Sequence, residues 1–232
     1  SGTSALVFSY TVVSGNEDTN GITVWGSITS NGGTLKDAAG NNAVLTLNTV
    51  GNTTAVLVDA IAPTVTSVSV PSNATYITGQ DLDFTVNCSE AVTVATTGGT
   101  PYIPVTLNTG GTVNAAYQSG SGTSALVFSY TVVSGNEDAN GITVGGSITS
   151  NGGTLKDVAG NNAVLTLNSV GSTSAVLVDA IAPTVTSVGV PSNATYITGQ
   201  NLDFTVNCSE VVTVTTTGGT PYIPVTLNTG GT

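Results

Sequence analysis

The chain has almost no positive charge: two lysines, Lys36 and Lys156, no arginine and no histidine stand against 13 Asp and Glu in 232 residues, a formal charge of −11. Such a chain has no means of neutralising phosphates, which excludes nucleic-acid binding, and contact with anionic membranes is excluded by the same argument. Without histidine or arginine there is no ready general base and no anion clamp, and no Gly-rich phosphate loop is present. The chain is therefore read as a non-enzyme. Both lysines sit beside an Asp in a turn. Paired carboxylates are the one feature that glycosidase chemistry could use, but here they recur as polar loop residues in every repeat, which structural calcium explains more simply. No apolar run approaches the roughly 18 residues of a membrane helix, and no basic-then-apolar leader opens the chain. The segment is expected to be soluble as it stands, with any export signal or anchor lying outside it.

Only 6% of the residues are charged while 39% are hydrophobic, mostly Val, Leu, Ile and Ala interleaved with Thr, Ser, Asn and Gly. That mixture is too apolar for charge-driven disorder and too rich in β-branched residues for a helical protein, so it reads as all-β.

Self-similarity organises everything else. Ser1 to Thr112 returns as Ser121 to Thr232, a period of 120 with ten differences in 112 aligned positions. A unit of this size can bury its own core, so the pattern is a string of domains rather than a thin-repeat solenoid. The punctuation is Asp59-Ala-Ile-Ala-Pro63 and its copy Asp179 to Pro183, each between two strand-like runs. Proline fixes φ and removes a backbone donor, which suits a strand entrance. In that frame residues 1–59 are the C-terminal half of one repeat, 60–179 a complete repeat, and 180–232 the N-terminal half of the next, joined by very short linkers.

Period-2 alternation is clear in Leu82-Phe84-Val86-Cys88, Leu126-Phe128-Tyr130-Val132 and Ile103-Val105-Leu107. Strands are expected near 64–70, 81–88, 101–108, 112–118, 124–133, 162–167 and 174–179, with Gly, Asn and Ser clusters between them. Seven short strands in a repeat of this length suggest an immunoglobulin-like β-sandwich. Counting strand directions by parity places Glu137, Asp138, Asp157 and Asp179 at the exit pole of the complete repeat, with Glu210 at the entrance of the next. The equivalent set at the first junction is Glu17, Asp18, Asp37, Asp59 and Glu90. With carbonyls of Asn140 or Asn161, each set is all oxygen and strongly negative, the kind of site that calcium favours. Unneutralised, such carboxylates repel and raise one another's pKa. The spacing matches neither an EF-hand nor an RTX nonapeptide, and some of these acids also read as ordinary solvated turn residues.

Cys88 and Cys208 are equivalent positions in successive repeats, roughly 40 Å apart from strand lengths near 3.3 Å per residue, so no bridge joins them. Alternation points both inward as buried free thiols, with no histidine to activate them. Trp25 becomes Gly145 in the second copy, an exchange that a core would tolerate badly, so Trp25 is placed on the surface. The sequons at Asn52, Asn73 and Asn87 are expected by chance in a chain so rich in Asn and Thr.

The runs VDAIAPTVTSVSVP, LDFTVNCSEAVTV, TPYIPVTLNTGGTVNAAYQSGSGTSALVFSYTVVSG, ITVGGSITSNGGTLKDVAGN and AVLTLN resemble, in combination and over the whole chain, the bacterial immunoglobulin-like tandem repeats of giant secreted adhesins. These include the RTX and biofilm-associated adhesins of Gram-negative bacteria. The resemblance implies extender modules on the bacterial cell surface that project a terminal ligand-binding region, with calcium between modules rigidifying the rod. It points to Asp179, Asp157 and Asp138 as ligands, and by repeat to Asp59, Asp37 and Asp18. The sequence departs from the family at Cys88, where an apolar residue such as Phe is expected.

A half-sandwich exposes core strands and open sheet edges. The 180–232 end of one molecule and the 1–59 end of another could build one repeat between them, lacking only the stretch equivalent to 113–120, and would generate an open fibre. A window on a longer filament, or a folding unit that straddles this frame, are the alternatives. Two function classes stay open: a structural spacer of an adhesin or extracellular filament that binds only cation, and a repeat that itself holds carbohydrate or a host protein. The scarcity of aromatic residues, 5%, favours the spacer.

Overall fold

The alternating runs become the centre of the fold in a computed structural model, which describes residues 2–229. The protein is all-β, with no helix among the described residues. Its strands are β1 (Glu17–Asp18), β2 (Val58–Asp59), β3 (Val65–Ser69), β4 (Ala74–Tyr76), β5 (Asp81–Ala95), β6 (Tyr102–Thr106) and β7 (Thr112–Ser119). They continue as β8 (Thr123–Thr131), β9 (Glu137–Asp138), β10 (Thr143–Val144), β11 (Thr154–Lys156), β12 (Val176–Asp179), β13 (Val185–Gly189) and β14 (Thr205–Cys208). The chain divides into two compact units, Ser1–Ala180 and Ile181–Thr232.

In the first unit, six strands follow one another in the order β10-β6-β7-β8-β5-β11, with β3 also paired to β5. A second sheet runs β4-β12-β9, in which β12 lies parallel to β4 and antiparallel to β9. The ladder between β5 and β8 sets Phe84 opposite Phe128, Val86 opposite Leu126 and Leu82 opposite Tyr130. Facing residues of an antiparallel pair share a face, so this register gathers the large side chains on one side. Leu82, Phe84, Val86, Leu126 and Phe128 are fully buried, together with Ile103 and Val105 of β6 and Val176 and Val178 of β12. Tyr117 of β7 meets Phe128 edge to face, ring centroids 5.7 Å apart.

The expected strands near 64–70, 101–108, 112–118, 124–133 and 174–179 are present with ends shifted by one or two residues. Two differ. The run 81–88 continues to Ala95, crossing an irregularity in its pairing with β8 between Asn87 and Val92. The run 162–167 forms no strand: Asn162, Val164 and Thr166 make only isolated bridges, to Lys156, Thr64 and Ser147. The returning element is instead β11, which pairs with the far end of β5, Thr154 opposite Ala95 and Lys156 opposite Thr93.

Glycine makes that return feasible. A Cβ on Gly98 would sit 2.2 Å from the carbonyl oxygen of Gly152, and one on Gly152, at φ +85°, 2.5 Å from that of Gly98. The turns at 96–100 and 150–154 thus touch backbone to backbone, which only residues without side chains permit.

Cys88 and Cys208 are free and half-buried. Cys88 stands opposite Val65, the first residue of β3, and packs partly against the core. Burial nonetheless pushes the Cys88 thiol above its ordinary range, which disfavours the reactive thiolate.

The outer segments carry little of this packing. Residues 1–59 contain the β1–β2 pair and 181–232 the β13–β14 pair. Phe8, the copy of Phe128, is 67% exposed where Phe128 is 0% exposed.

Candidate cation site where one repeat meets the next

Asp59 closes β2, the last strand before the Ala60–Pro63 linker, and β1 holds it in register with Glu17 opposite. Glu90 lies on β5 within the stretch where pairing to β8 is interrupted. Such irregularities bend a strand and re-aim its side chains. Asp157 follows β11, whose antiparallel course along β5 runs from Ala95 back toward Glu90. The three carboxylates converge: one oxygen of each lies within 4.8 Å of the others. One acid therefore comes from before the linker and two from after it.

This corrects the parity argument, which put Asp157 at the opposite pole with Glu137, Asp138 and Asp179. The count assumed that β5 ends near residue 88 and that the sixth strand starts at 162. Because β5 runs on and β11 returns along it, Asp157 comes back to Glu90 and Asp59. Sequence reasoning had named Asp59 and Glu90 for this junction together with Asp37, the copy of Asp157 in the preceding repeat. Asp37 instead lines a separate cleft with Gly2, Thr3, Leu6, Leu35 and Asn41. Its carboxyl is held below the ordinary range, chiefly by the Asn41 side-chain amide, which donates to Oδ2 at 2.8 Å. Asp18 pairs opposite Val58 and lines a cleft of about 320 Å³ with Asp59, Val158 and Ala159.

At the far end of the complete repeat, β9 sets Glu137 opposite Asp179 and Asp138 opposite Val178. Asp138 is buried, and its two oxygens accept from the backbone N–H groups of Asn108, at 3.2 Å, and Asn140, at 3.3 Å. It braces a turn. Glu137 accepts from the Thr109 hydroxyl at 3.3 Å. Glu210 belongs to the second unit and is exposed.

Asn161 ties two of the three acids, Asp59 and Asp157, together. Its amide donates to Asp157 Oδ2 at 2.8 Å, to the Asp59 carbonyl at 3.1 Å and to Asp59 Oδ1 at 3.3 Å. Asp157 Oδ1 also accepts from the N–H groups of Gly160, at 2.6 Å, and Asn161, at 2.8 Å. Burial pushes the Asp157 carboxyl up, but these hydrogen bonds outweigh it and hold the group below the usual aspartate range. Glu90 moves the other way. Burial is the largest cause, and the negative charges of Asp157, Asp59 and Glu17 add to it.

The two shifts have opposite consequences for stability. Asp157, depressed in the folded state, stabilises above its unfolded pKa, and this is lost as pH falls through the folded value. Glu90, raised in the folded state, contributes a stability that is complete below its unfolded pKa and lost as pH rises through the folded value. At neutral pH without a cation, the Glu90 charge therefore opposes folding. Glu90→Gln is expected to raise stability at pH 7 in chelator by about a few tenths of a kcal/mol, since solvent still screens this partly buried charge, and to have no effect near pH 4. Urea unfolding at the two pH values would check this.

No protein-family model matches the chain, and no curated protein or solved structure gives a significant match.

Proposed function

We propose that the chain is a run of structural extender repeats of a bacterial cell-surface adhesin or extracellular filament, each repeat an immunoglobulin-like sandwich, with calcium stiffening the junctions. The observation that carries this reading is the convergence of Asp59, from one side of the linker, with Glu90 and Asp157 from the other. Three carboxylates so placed offer up to six hard oxygens, and flexible oxygen-rich coordination is what calcium takes. Asn161 fits the same role: rotating its amide by half a turn would present a carbonyl oxygen where the NH₂ now points. A cation there would tie the last strand of one repeat to the body of the next. The groups available are Asp59, Glu90, Asp157 and Asn161; one period further on, the positions equivalent to Asp59 and Glu90 are Asp179 and Glu210.

A spacer also needs a surface with nothing to recognise. Aromatic residues are 5% of the chain and Lys36 and Lys156 its only cations, which leaves few groups of the kind that stack on sugars or anchor protein partners. A glycan array probed with the chain, in calcium, is expected to show no saturable binding. Saturable binding to one glycan class would replace the spacer reading with that of a binding module.

A further inference from the structure

Asparagine followed by glycine occurs four times: at Asn20-Gly21 and Asn31-Gly32, and one period later at Asn140-Gly141 and Asn151-Gly152. Glycine has no side chain to shield its nitrogen, so in this pair the backbone nitrogen reaches the preceding side-chain amide most readily. By sequence the four pairs are equivalent. The fold separates them into two kinds, and the division is the same in both repeats.

Asn31 and Asn151 sit at positive φ, +44° and +51°, and each is followed by a glycine at +85°. The N–H of Gly33 donates to the Ser30 carbonyl at 2.7 Å and that of Gly153 to the Ser150 carbonyl at 2.8 Å, which closes each as a type I′ turn. In this left-handed conformation the Asn Cβ lies across the Cα–C bond from the next nitrogen. The glycine nitrogen cannot reach the side-chain carbonyl carbon unless the turn opens. Asn151 is fixed further, because its amide donates to the Thr100 carbonyl at 3.2 Å.

Asn20 and Asn140 are held differently. Both lie in exposed bends with negative φ. Their N–H groups donate to Oδ1 of Asp18 and of Asp138, each at 3.3 Å. Among the described residues, neither side-chain amide has a hydrogen-bond partner, nor does the N–H of Gly21 or Gly141. The glycine that follows cannot be exchanged for a residue that would slow the reaction. Gly21 and Gly141 stand at φ +99° and +101°, and a Cβ on them would lie 2.5 Å from the Cα of Thr54 and of Ser174. Packing thus enforces the reactive pair at an exposed bend in each repeat.

We infer that Asn20 and Asn140 are sites of spontaneous self-modification, and that Asn31 and Asn151 are spared by their turns. At Asn140 the Gly141 nitrogen bonds to Cγ, the Cγ–Nδ2 bond breaks, and the amide leaves as ammonia, taking up the proton that the Gly141 nitrogen gives. Water then opens the five-membered imide. Opening at the side-chain carbonyl gives aspartate, and opening at the main-chain carbonyl leaves the chain running through Cγ as isoaspartate. Asn20 reacts in the same way with Gly21. Either product sets a new carboxylate two residues from Asp18 or Asp138. Asp138 lines a pocket with Glu137 and Asp179, so negative charge accumulates with age at that end of the repeat.

The full chain, held at mildly alkaline pH and sampled over time, tests this by tryptic mapping with electron-transfer fragmentation, which locates aspartate and isoaspartate residue by residue. Trypsin cuts after Lys36 and Lys156, so the two sites of each repeat fall on one peptide and serve as each other's control. Conversion at Asn20 and Asn140 is expected to be roughly tenfold or more faster than at Asn31 and Asn151, the ratio that a modest cost of opening the turns imposes. In urea, where the turns are lost, the four rates should fall within about threefold of one another. Equal rates at all four sites in the folded chain, faster conversion in the turns, no conversion at Asn20 and Asn140, or a native ratio that persists in urea would each overturn the inference.

Discussion

Phe128→Ala is expected to destabilise the protein by about 3–5 kcal/mol, and Phe8→Ala, the same substitution in the same local sequence, by less than about 0.5 kcal/mol. Phe128 is fully buried, opposite Phe84 on β5 and in edge contact with Tyr117. Removing its ring takes away the transfer free energy of the side chain and leaves a cavity that the paired strands cannot collapse to fill. Phe8 is two-thirds exposed, so its truncation removes little buried area. Denaturant unfolding would measure both. Equal costs would mean that residues 1–59 pack as the complete repeat does.

Saturating calcium is expected to stabilise the first unit by about 2.7 kcal/mol at a free concentration one hundred times the dissociation constant, and so to raise its melting temperature by about 5–10 °C. The gain comes from binding to the folded state alone, because Asp59, Glu90 and Asp157 are separated by 31 and 67 residues of chain and meet only in the fold, where the β5–β11 ladder returns Asp157 to Glu90 and Asn161 bonds to Asp59. Asp157→Asn should abolish most of this shift while sparing the fold, since an amide keeps an oxygen to accept from Gly160 and Asn161. Magnesium, which dehydrates reluctantly and demands near-octahedral geometry, should give a smaller shift. Melting in chelator, calcium and magnesium would provide the comparison. An unchanged melting temperature in calcium would remove the cation from the account.

The parts of the fold that were legible in the sequence are those with a period. Alternation over four or more residues marks β5, β6 and β8, because half-buried strands must present one face to a core. The 120-residue repeat identifies equivalent positions without any knowledge of the fold. Two-residue strands such as β9 and β10 have no period to read, and they are defined only by their partners β12 and β6. The error at Asp157 has the same origin. Where β5 ends depends on whether another strand pairs with residues 92–95, and that strand, β11, is three residues long. The signal that could have found it lies in the glycines. Gly98-Gly99 and Gly152-Gly153 are two pairs of small residues at the ends of would-be strands, and close backbone approach is what such pairs permit.

The candidate site was half legible for a related reason. Asp59 and Glu90 flank the linker in sequence, and the proline-marked boundary places them at one junction. The sequence offers Asn161 only as a source of carbonyl oxygen, whereas in the fold its amide bridges Asp59 and Asp157. Asp138 looked like a ligand because it is an acid in a loop. In the fold its oxygens accept from the backbone N–H groups of Asn108 and Asn140, and it lines one pocket with Glu137 and Asp179.

Isothermal titration of calcium into the full chain, beside the same chain carrying Asp59→Asn, Glu90→Gln and Asp157→Asn together, addresses the junction most directly. One saturable site that the triple variant lacks is the result these side chains predict. Identical heats from the two proteins, whether of binding or of dilution alone, would contradict a cation held between Asp59 on one repeat and Glu90 and Asp157 on the next.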